Sequence, residues 1–194
     1  MPGLLTVGHG TLDRVALQQL LQEAAVEVIV DVRRYPSSRR NPDVRREALE
    51  EWLPAAGIHY RWDERLGGRR HRPADVAAID TWWTEAAFQA YAAHTRTKEF
   101  AAGWVDLLAT VRTYQVVIMC SETLWWRCHR RLIADVATLA DHLTVEHLFP
   151  SGRREPHQLA AGARLRSDGH IVWDGRPGRD AVPGVGSPRR ANGG

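Results

Sequence analysis

The sequence predicts a three-layer α/β fold, with a mainly parallel sheet and helices on both of its faces. Short apolar runs alternate with longer segments whose apolar residues recur every three or four positions, a pattern typical of parallel sheets. A length of 194 residues and a hydrophobic content of 44% allow one well-filled core. We therefore expect one α/β domain over residues 1–150, a small C-terminal appendage over residues 151–174 and a disordered tail over residues 175–194.

Five strands and five helices are predicted in this order. The strands are residues 4–7, 26–30, 58–62, 116–120 and 145–149. The first helix is capped by Thr11 or Asp13, and the second is capped by Asp43 and reaches Ala56. Three more helices are expected over about residues 75–93, 98–111 and 127–140, and residues 163–173 predict a hairpin in the appendage.

The composition argues against membrane and disulfide-rich classes of protein. No run approaches the roughly 20 apolar residues that a membrane helix needs, and the first residues lack the pattern of a signal peptide. We therefore expect a cytoplasmic protein without a membrane partner. The only two cysteines stand eight positions apart, so free thiols are expected rather than a disulfide framework.

The basic residues are unusual in type and position. Of 26 basic residues only Lys98 is a lysine, and residues 33–72 contain eleven arginines against six acidic residues. A biased nucleotide composition of the gene also produces arginine-rich proteins. Planar guanidinium groups, however, bind phosphate with two hydrogen bonds and stack on bases. The local excess of arginine therefore predicts a polyanionic partner, with DNA as the first choice.

Several polar residues follow directly after predicted strands. His9 follows the first strand, Asp31 to Arg33 the second, and Cys120 to Glu122 the fourth, while His59 to Trp62 lie near the third. Ligands of parallel sheets bind beyond the carboxyl ends of the strands, so these residues are expected to share one rim. The helix predicted to begin near Arg127 points its free backbone N–H groups at the same rim, which favours an anion there.

Some of these segments resemble the ordered signature of the domain-of-unknown-function family 488. They are Val7-Gly8-His9, Asp31-Val32-Arg33 with Pro36, Ser38 to Pro42, Leu66-Gly67-Gly68, and Cys120-x-Glu122 with Cys128-His129-Arg130. The similarity spans roughly residues 4–150 and is most specific in the segment with both cysteines. Val44 and the pair Trp125-Trp126 depart from the family pattern. The resemblance implies an α/β fold and an active site built from these motifs, but no reaction.

Asp31 and Glu122 are the candidate catalytic carboxylates. A carboxylate at the end of a buried strand needs either a charged partner or a wet cleft, because a dry, unpaired anion costs several kcal/mol. One interpretation is structural, with Asp31 paired to Arg33, Arg39 or Arg130. The functional interpretation is that a carboxylate stabilises an oxocarbenium-like sugar while arginines hold phosphates, as cleavage of an N-glycosidic bond requires.

The thiols and the neighbouring imidazole have plainer explanations. Free cysteine is among the most buried residue types, so Cys120 is expected to pack as a small apolar residue. Cys128 and His129 are adjacent, and neighbours on a helix diverge by about 100°, so they are not expected to form a Cys–His pair. A metal site from His9, Asp31 and the two cysteines lacks the paired spacing of typical zinc motifs.

The residues together predict an enzyme that acts on nucleic acid, most simply a DNA glycosylase that excises a damaged or modified base. Asp31 or Glu122 is the expected catalytic carboxylate, and Trp125 or Trp126 the expected wall of the base pocket. The residues expected to hold phosphate or sugar are His9, Arg33, Arg39, Arg40, Arg69, Arg127, His129 and Arg130.

This scheme requires no metal and no cofactor. Two alternatives stay open beside it. One is an enzyme for small molecules or phosphate esters that works through Cys120, Cys128 or a bound metal. The other is a non-catalytic nucleic-acid binding module, in which the carboxylates only organise the arginines.

Overall fold

A computed structural model describes residues 3–72 and 79–175 of the chain. Its strands are β1 (Gly3–Gly8), β2 (Val28–Asp31), β3 (His59–Trp62), β4 (Val116–Cys120), β5 (Thr144–Leu148), β6 (Arg154–Pro156), β7 (Ala163–Leu165) and β8 (Ile171–Trp173). Its helices are α1 (Arg14–Glu23), α2 (Arg46–Ala55), α3 (Ala86–His94), α4 (Lys98–Val111) and α5 (Arg130–Asp141). Six strands form one sheet in the order β3-β2-β4-β1-β5-β6, and β7 pairs with β8.

Two apolar layers cover the faces of the main sheet. Successive side chains of a strand point to opposite faces, so Leu5 and Ile29 pack in the core that includes the apolar residues of α1 and α2. Leu4 and Val30 pack in the second core, with the apolar residues of α3, α4 and α5. In this sheet, strands β1 to β5 are mutually parallel, and β6 runs antiparallel at the edge beside β5. The predicted three-layer α/β class is confirmed.

The helix caps correct one detail of the sequence prediction. Asp13 caps α1, since its carboxylate accepts a backbone N–H in the first turn at 2.9 Å. Asp43, predicted to cap α2, instead accepts the N–H of Arg14 at 3.0 Å, which also lies in the first turn of α1. That prediction is wrong because Pro42–Val44 form a separate 3-10 turn and α2 begins only at Arg46.

Helix α3 is shorter than predicted. Residues 73–78, where the helix was expected to begin, lie outside the described residues, but residues 79–85 are described and are not helical. Buried Asp80 accepts hydrogen bonds from Arg96 at 2.6 Å and from the backbone N–H of Trp173 at 3.1 Å. These contacts tie the segment to α3's far end and to β8, so the helical expectation for residues 79–85 is wrong.

The predicted C-terminal hairpin is confirmed and is part of the core. Trp173 on β8 is fully buried, and its indole N–H donates to Asp135 of α5 at 2.7 Å. The predicted disordered tail falls almost wholly on residues 176–194, which lie outside the described residues. Across residues 3–72 and 79–175, no helix is long and apolar enough to span a membrane.

Candidate active site

A cleft of about 500 Å³ opens at the carboxyl ends of the central strands. Strand β4 lies between β1 and β2, so the loops that follow these three strands meet there. The backbone N–H groups of His9 and Gly10 donate to the carbonyls of Cys120 and Ser121, both at 3.0 Å. The expectation that the strand ends share one rim is therefore confirmed for β1, β2 and β4, but not for β3, because none of residues 59–62 lines the cleft.

Asp31 and Arg33 form a buried ion pair at the cleft wall. Asp31 is 0% exposed and Arg33 is 3% exposed. The guanidinium donates to both carboxylate oxygens, at 2.8 and 2.5 Å, and the Tyr60 hydroxyl donates a further bond at 2.8 Å. Burial by itself lowers the pKa of Arg33, but the bonds to Asp31 outweigh it and raise that pKa above its ordinary value. Asp31 does not line the cleft, whereas Arg33 does.

His9 supports Arg33 from within the protein rather than facing the cleft. It is buried, and its Nε2 lies 3.3 Å from a guanidinium nitrogen of Arg33. Because a guanidinium only donates, Nε2 is the accepting nitrogen and Nδ1 carries the proton that it donates to the Gly10 carbonyl at 3.1 Å. Burial and the charge of Arg33 lower the pKa of His9 to about 4, so the ring is neutral at pH 7.

Glu122 is an exposed carboxylate on the cleft wall. Among the described residues, its side chain accepts a single long hydrogen bond, 3.4 Å, from the backbone N–H of Leu124. Its backbone is held firmly, since the Glu122 carbonyl accepts from the guanidinium of Arg130. A Cβ at Gly8 would lie 1.9 Å from the same carbonyl oxygen, so glycine is required where β1 passes this loop.

Two thiols and an imidazole converge on the cleft; we call Cys120, Cys128 and His129 the Cys–His cluster. The Nδ1 atom of His129 lies 3.5 Å from the sulfur of Cys128 and 3.9 Å from that of Cys120. All three side chains line the cleft. The prediction that Cys128 and His129 cannot pair is wrong, because α5 begins at Arg130 and Cys128 has extended backbone (φ −124°, ψ 150°).

The surroundings fix the orientation of the imidazole. Its Nε2 lies 3.0 Å from the backbone carbonyl of Val32, which only accepts, so Nε2 carries a proton. In the neutral ring the lone pair of Nδ1 therefore faces both sulfurs. Gly68 makes room beside the ring, since a Cβ there would lie 2.7 Å from Nδ1 of His129.

The two thiols of the cluster differ in acidity. Burial raises the pKa of Cys128, but a hydrogen bond from Cys120 and the nearby His129 and Arg130 outweigh it and hold the pKa well below its usual range. The guanidinium of Arg130 donates to the Cys128 sulfur at 3.4 Å. The hydrogen bond with Cys128, together with burial, raises the pKa of Cys120. Cys128 is therefore the more acidic thiol of the pair.

The tryptophans predicted to wall a base pocket lie elsewhere. Trp125 is buried and stacks on His147, with ring centroids 4.0 Å apart. Trp126 is 41% exposed but does not line the cleft. The aromatic residues that do line it are Tyr35, Phe88 and Tyr91. Sequence reasoning missed them, although the position of Tyr35, just after Arg33 at the end of β2, was a usable signal.

The predicted arginines divide into three groups. Arg33, Arg69 and Arg127 line the cleft, as does Arg34, which sequence reasoning did not single out. Arg130 is buried beneath the Cys–His cluster. Arg39 and Arg40 are exposed, but they do not line the cleft. Three of the six predicted arginines therefore line the cleft.

A buried polar chain runs from α5 to the strand beneath the cluster. Asp135 accepts from His157 at 2.9 Å, His157 bonds to His147 at 3.0 Å, and His147 bonds to the Thr6 hydroxyl at 2.7 Å. The Thr6 hydroxyl in turn accepts from Arg130 at 3.3 Å. Burial and the neighbouring His157 lower the pKa of His147 to about 2, so this ring stays neutral.

Neutral, buried histidines make folding sensitive to acid. An unfolded histidine binds a proton below about pH 6.5, whereas folded His9 and His147 do not until about pH 4 and about pH 2. We therefore expect the free energy of unfolding to fall by about 2 kcal/mol for each of them between pH 8 and pH 5. Urea unfolding at pH 8, 6.5 and 5 measures this. His59→Gln, at an exposed position, should leave the slope unchanged, and equal stability at all three pH values would contradict the expectation.

Comparison with known proteins identifies the family of this chain. The model of the family described as "Domain of unknown function DUF488" matches residues 11–137, which is more than half of the chain and includes the Cys–His cluster and Glu122. Searches of curated proteins and of solved structures gave no significant match. The chain therefore belongs to the DUF488 family.

Proposed function

We propose that the cleft is the active site of a hydrolase that cleaves the N-glycosidic bond of a nucleotide unit in nucleic acid, with Glu122 as the catalytic carboxylate. The observation that carries this proposal is the position of Glu122, an exposed carboxylate on a cleft wall that also carries four arginines. None of the ion pairs within residues 3–72 and 79–175 involves Glu122. Its charge therefore faces whatever enters the cleft.

The proposed reaction needs one such anion. As the bond between the sugar carbon and the base nitrogen breaks, positive oxocarbenium character develops on the sugar, which a carboxylate stabilises. Water adds to the sugar carbon and gives up a proton, and the base leaves after gaining one. Asp31 is not assigned this role, since both of its carboxylate oxygens accept hydrogen bonds from Arg33 inside the protein. We assign it the positioning of Arg33 instead.

The dimensions and charges of the cleft suit a nucleotide. Its volume of about 500 Å³ lies within the range of small-molecule sites. Guanidinium groups bind phosphate with two hydrogen bonds, and aromatic rings stack on bases. Arg69 and Arg127 are exposed on the cleft wall and suit the phosphate, while Tyr35 and Phe88 offer faces for the base.

A second candidate follows from the short contact between Cys128 and His129. An enzyme that hydrolyses phosphate esters through the Cys–His cluster would use the same cleft and the same arginines. The two candidates differ in their products, because one releases a free base and the other releases phosphate.

The test is product analysis with purified protein. Oligonucleotides with a panel of damaged and modified bases, together with free nucleotides, are incubated with the protein. We expect release of a free base from at least one substrate, which leaves an alkali-labile abasic site in the oligonucleotides. Release of phosphate without free base would favour the second candidate. If no substrate loses a base, the N-glycosidic proposal fails.

The arginines of the cleft should dominate binding of an oligonucleotide. We expect Arg69→Ala combined with Arg127→Ala to weaken binding and to reduce the log–log salt slope by about 0.9 for each phosphate that the protein no longer neutralises. Arg112→Ala is the control, because Arg112 is exposed and precedes β4, towards the amino ends of the strands and away from the cleft. Arg39→Ala with Arg40→Ala shows whether the bound oligonucleotide extends beyond the cleft. An unchanged slope in the Arg69 and Arg127 variant would contradict phosphate binding there.

A further inference from the structure

We infer that Cys120, Cys128 and His129 bind a Zn²⁺ ion in the cleft. Thiolate sulfur and imidazole nitrogen are the ligands that zinc prefers in proteins. The three donor atoms all lie within 4.8 Å of one another. With Zn–S bonds of about 2.3 Å and Zn–N bonds of about 2.0 Å, tetrahedral geometry places sulfur about 3.6 Å from nitrogen. The distances of 3.5 and 3.9 Å from Nδ1 of His129 to the two sulfurs are close to that value.

The groups behind the ligands complete the arrangement of a zinc site. A zinc-bound histidine donates its other N–H to a carbonyl or carboxylate, which fixes the ring and frees the liganding nitrogen. In His129 this role falls to Nε2, which donates to the Val32 carbonyl at 3.0 Å and leaves Nδ1 directed at the sulfurs. Arg130 is almost fully buried, and its guanidinium donates to the Cys128 sulfur at 3.4 Å. Hydrogen bonds to Val32 and Arg130 therefore hold His129 and Cys128, two of the three ligands, in place.

The site has the composition of a catalytic rather than a structural zinc centre. Structural sites use four protein ligands, whereas catalytic sites use three and keep one position for water or substrate. Within the described residues the group has three members, and all three line the cleft. Zinc lowers the pKa of a bound water, and Glu122 lies on the same wall as a proton acceptor. The inference deepens the proposed hydrolysis, and its catalytic meaning rests on that proposal.

Sequence spacing does not reveal this site. Cys120 ends β4, while Cys128 and His129 precede α5, so the ligands come from two elements and show no paired spacing of known zinc motifs. Only the turn at Trp125–Arg127 returns the chain to the end of β4.

The test uses the metal itself, without substrate. Protein purified without a histidine tag is analysed for metals by mass spectrometry, then stripped with a chelator and titrated with Co²⁺. We expect about one zinc per chain as isolated, and intense visible bands of tetrahedral Co²⁺ with a thiolate-to-cobalt charge-transfer band on titration. Cys128→Ser should lose most of the charge-transfer band, and His129→Gln should weaken Co²⁺ binding at least about tenfold. His59→Gln, an exposed histidine on β3, is the matched control and should bind like the parent.

A second measurement covers variants that fail to fold. In the parent protein, bound Zn²⁺ should protect both thiols from alkylation, and a chelator should expose them. The inference is overturned if the protein binds no stoichiometric Zn²⁺ or Co²⁺, if Co²⁺ binds without a thiolate band, or if the metal protects neither thiol. Failure of the hydrolysis is a separate result: metal binding without base release rejects the proposed function alone. Cys128→Ser separates the two versions of the reaction. If Glu122 acts without a metal, the variant should stay active. If zinc takes part, the variant should lose the metal and its turnover together.

Discussion

Asp31→Asn should lower the free energy of unfolding by about 3–5 kcal/mol, because it leaves the guanidinium of Arg33 buried without an anion. The carboxylate and the guanidinium are 0% and 3% exposed, and five hydrogen bonds from Arg33 and Tyr60 converge on Asp31. Asparagine has one oxygen where two are used, so at least one of these donors loses its partner. Burial and the charge of Asp31 also raise the pKa of Tyr60, which keeps its hydroxyl a donor.

Equilibrium urea unfolding measures this effect. The matched control is Glu50→Gln, since Glu50 pairs with Arg46 at 2.7 Å on the exposed face of α2 and solvent screens that pair. We expect the control to change the stability far less than Asp31→Asn. If the two variants are equally stable, the buried pair does not hold the end of β2. Activity of the Asp31 variant has to be expressed per folded molecule, because loss of folding would otherwise resemble loss of catalysis.

Glu122→Gln should reduce turnover by about 100- to 10,000-fold while nucleic-acid binding holds or tightens. The substitution keeps the size of the side chain and removes the charge that is proposed to stabilise the transition state. Folding should be preserved, because the carboxylate is exposed and its bond from the N–H of Leu124 is long, 3.4 Å. Single-turnover base release and equilibrium binding to the same oligonucleotide separate the two effects.

Glu51→Gln is the matched control for this variant. Glu51 is exposed on α2 and does not line the cleft, so both turnover and binding should equal those of the parent. A Glu122→Gln variant that releases base as fast as the parent would remove Glu122 from the reaction. A variant that loses binding as well as turnover would show that the carboxylate organises the arginines, as the binding-module alternative requires.

The rim of the sheet was predictable because it depends on local patterns. Apolar runs located the strands, and the polar residues that follow them had to meet once the strands were parallel. Glu122, Arg33 and Arg127 reach the cleft on that basis. The strand bounds agree to within two residues, as for β2, predicted over 26–30 and found at Val28–Asp31.

The Cys–His cluster was not predictable because it depends on where a helix begins. A start of α5 near Arg127 would have separated the side chains of Cys128 and His129, whereas the observed start at Arg130 leaves Cys128 extended. Three residues of difference decide whether two donor atoms meet. Helix boundaries are among the least certain features of a sequence, since the ends of helices are marked only by weak local preferences.

The sequence by itself determined the three-layer class, the shared rim and the residue types available there, because strand and helix periodicity are encoded in neighbouring residues. Only the tertiary structure decided which of these residues do what. It placed Asp31 in a buried pair with Arg33, stacked Trp125 on His147 away from the cleft, and left Glu122 facing solvent. The physical reason is that burial and partners are set by contacts between distant segments. The type of a residue, such as aspartate or tryptophan, does not by itself specify whether its side chain is buried or exposed.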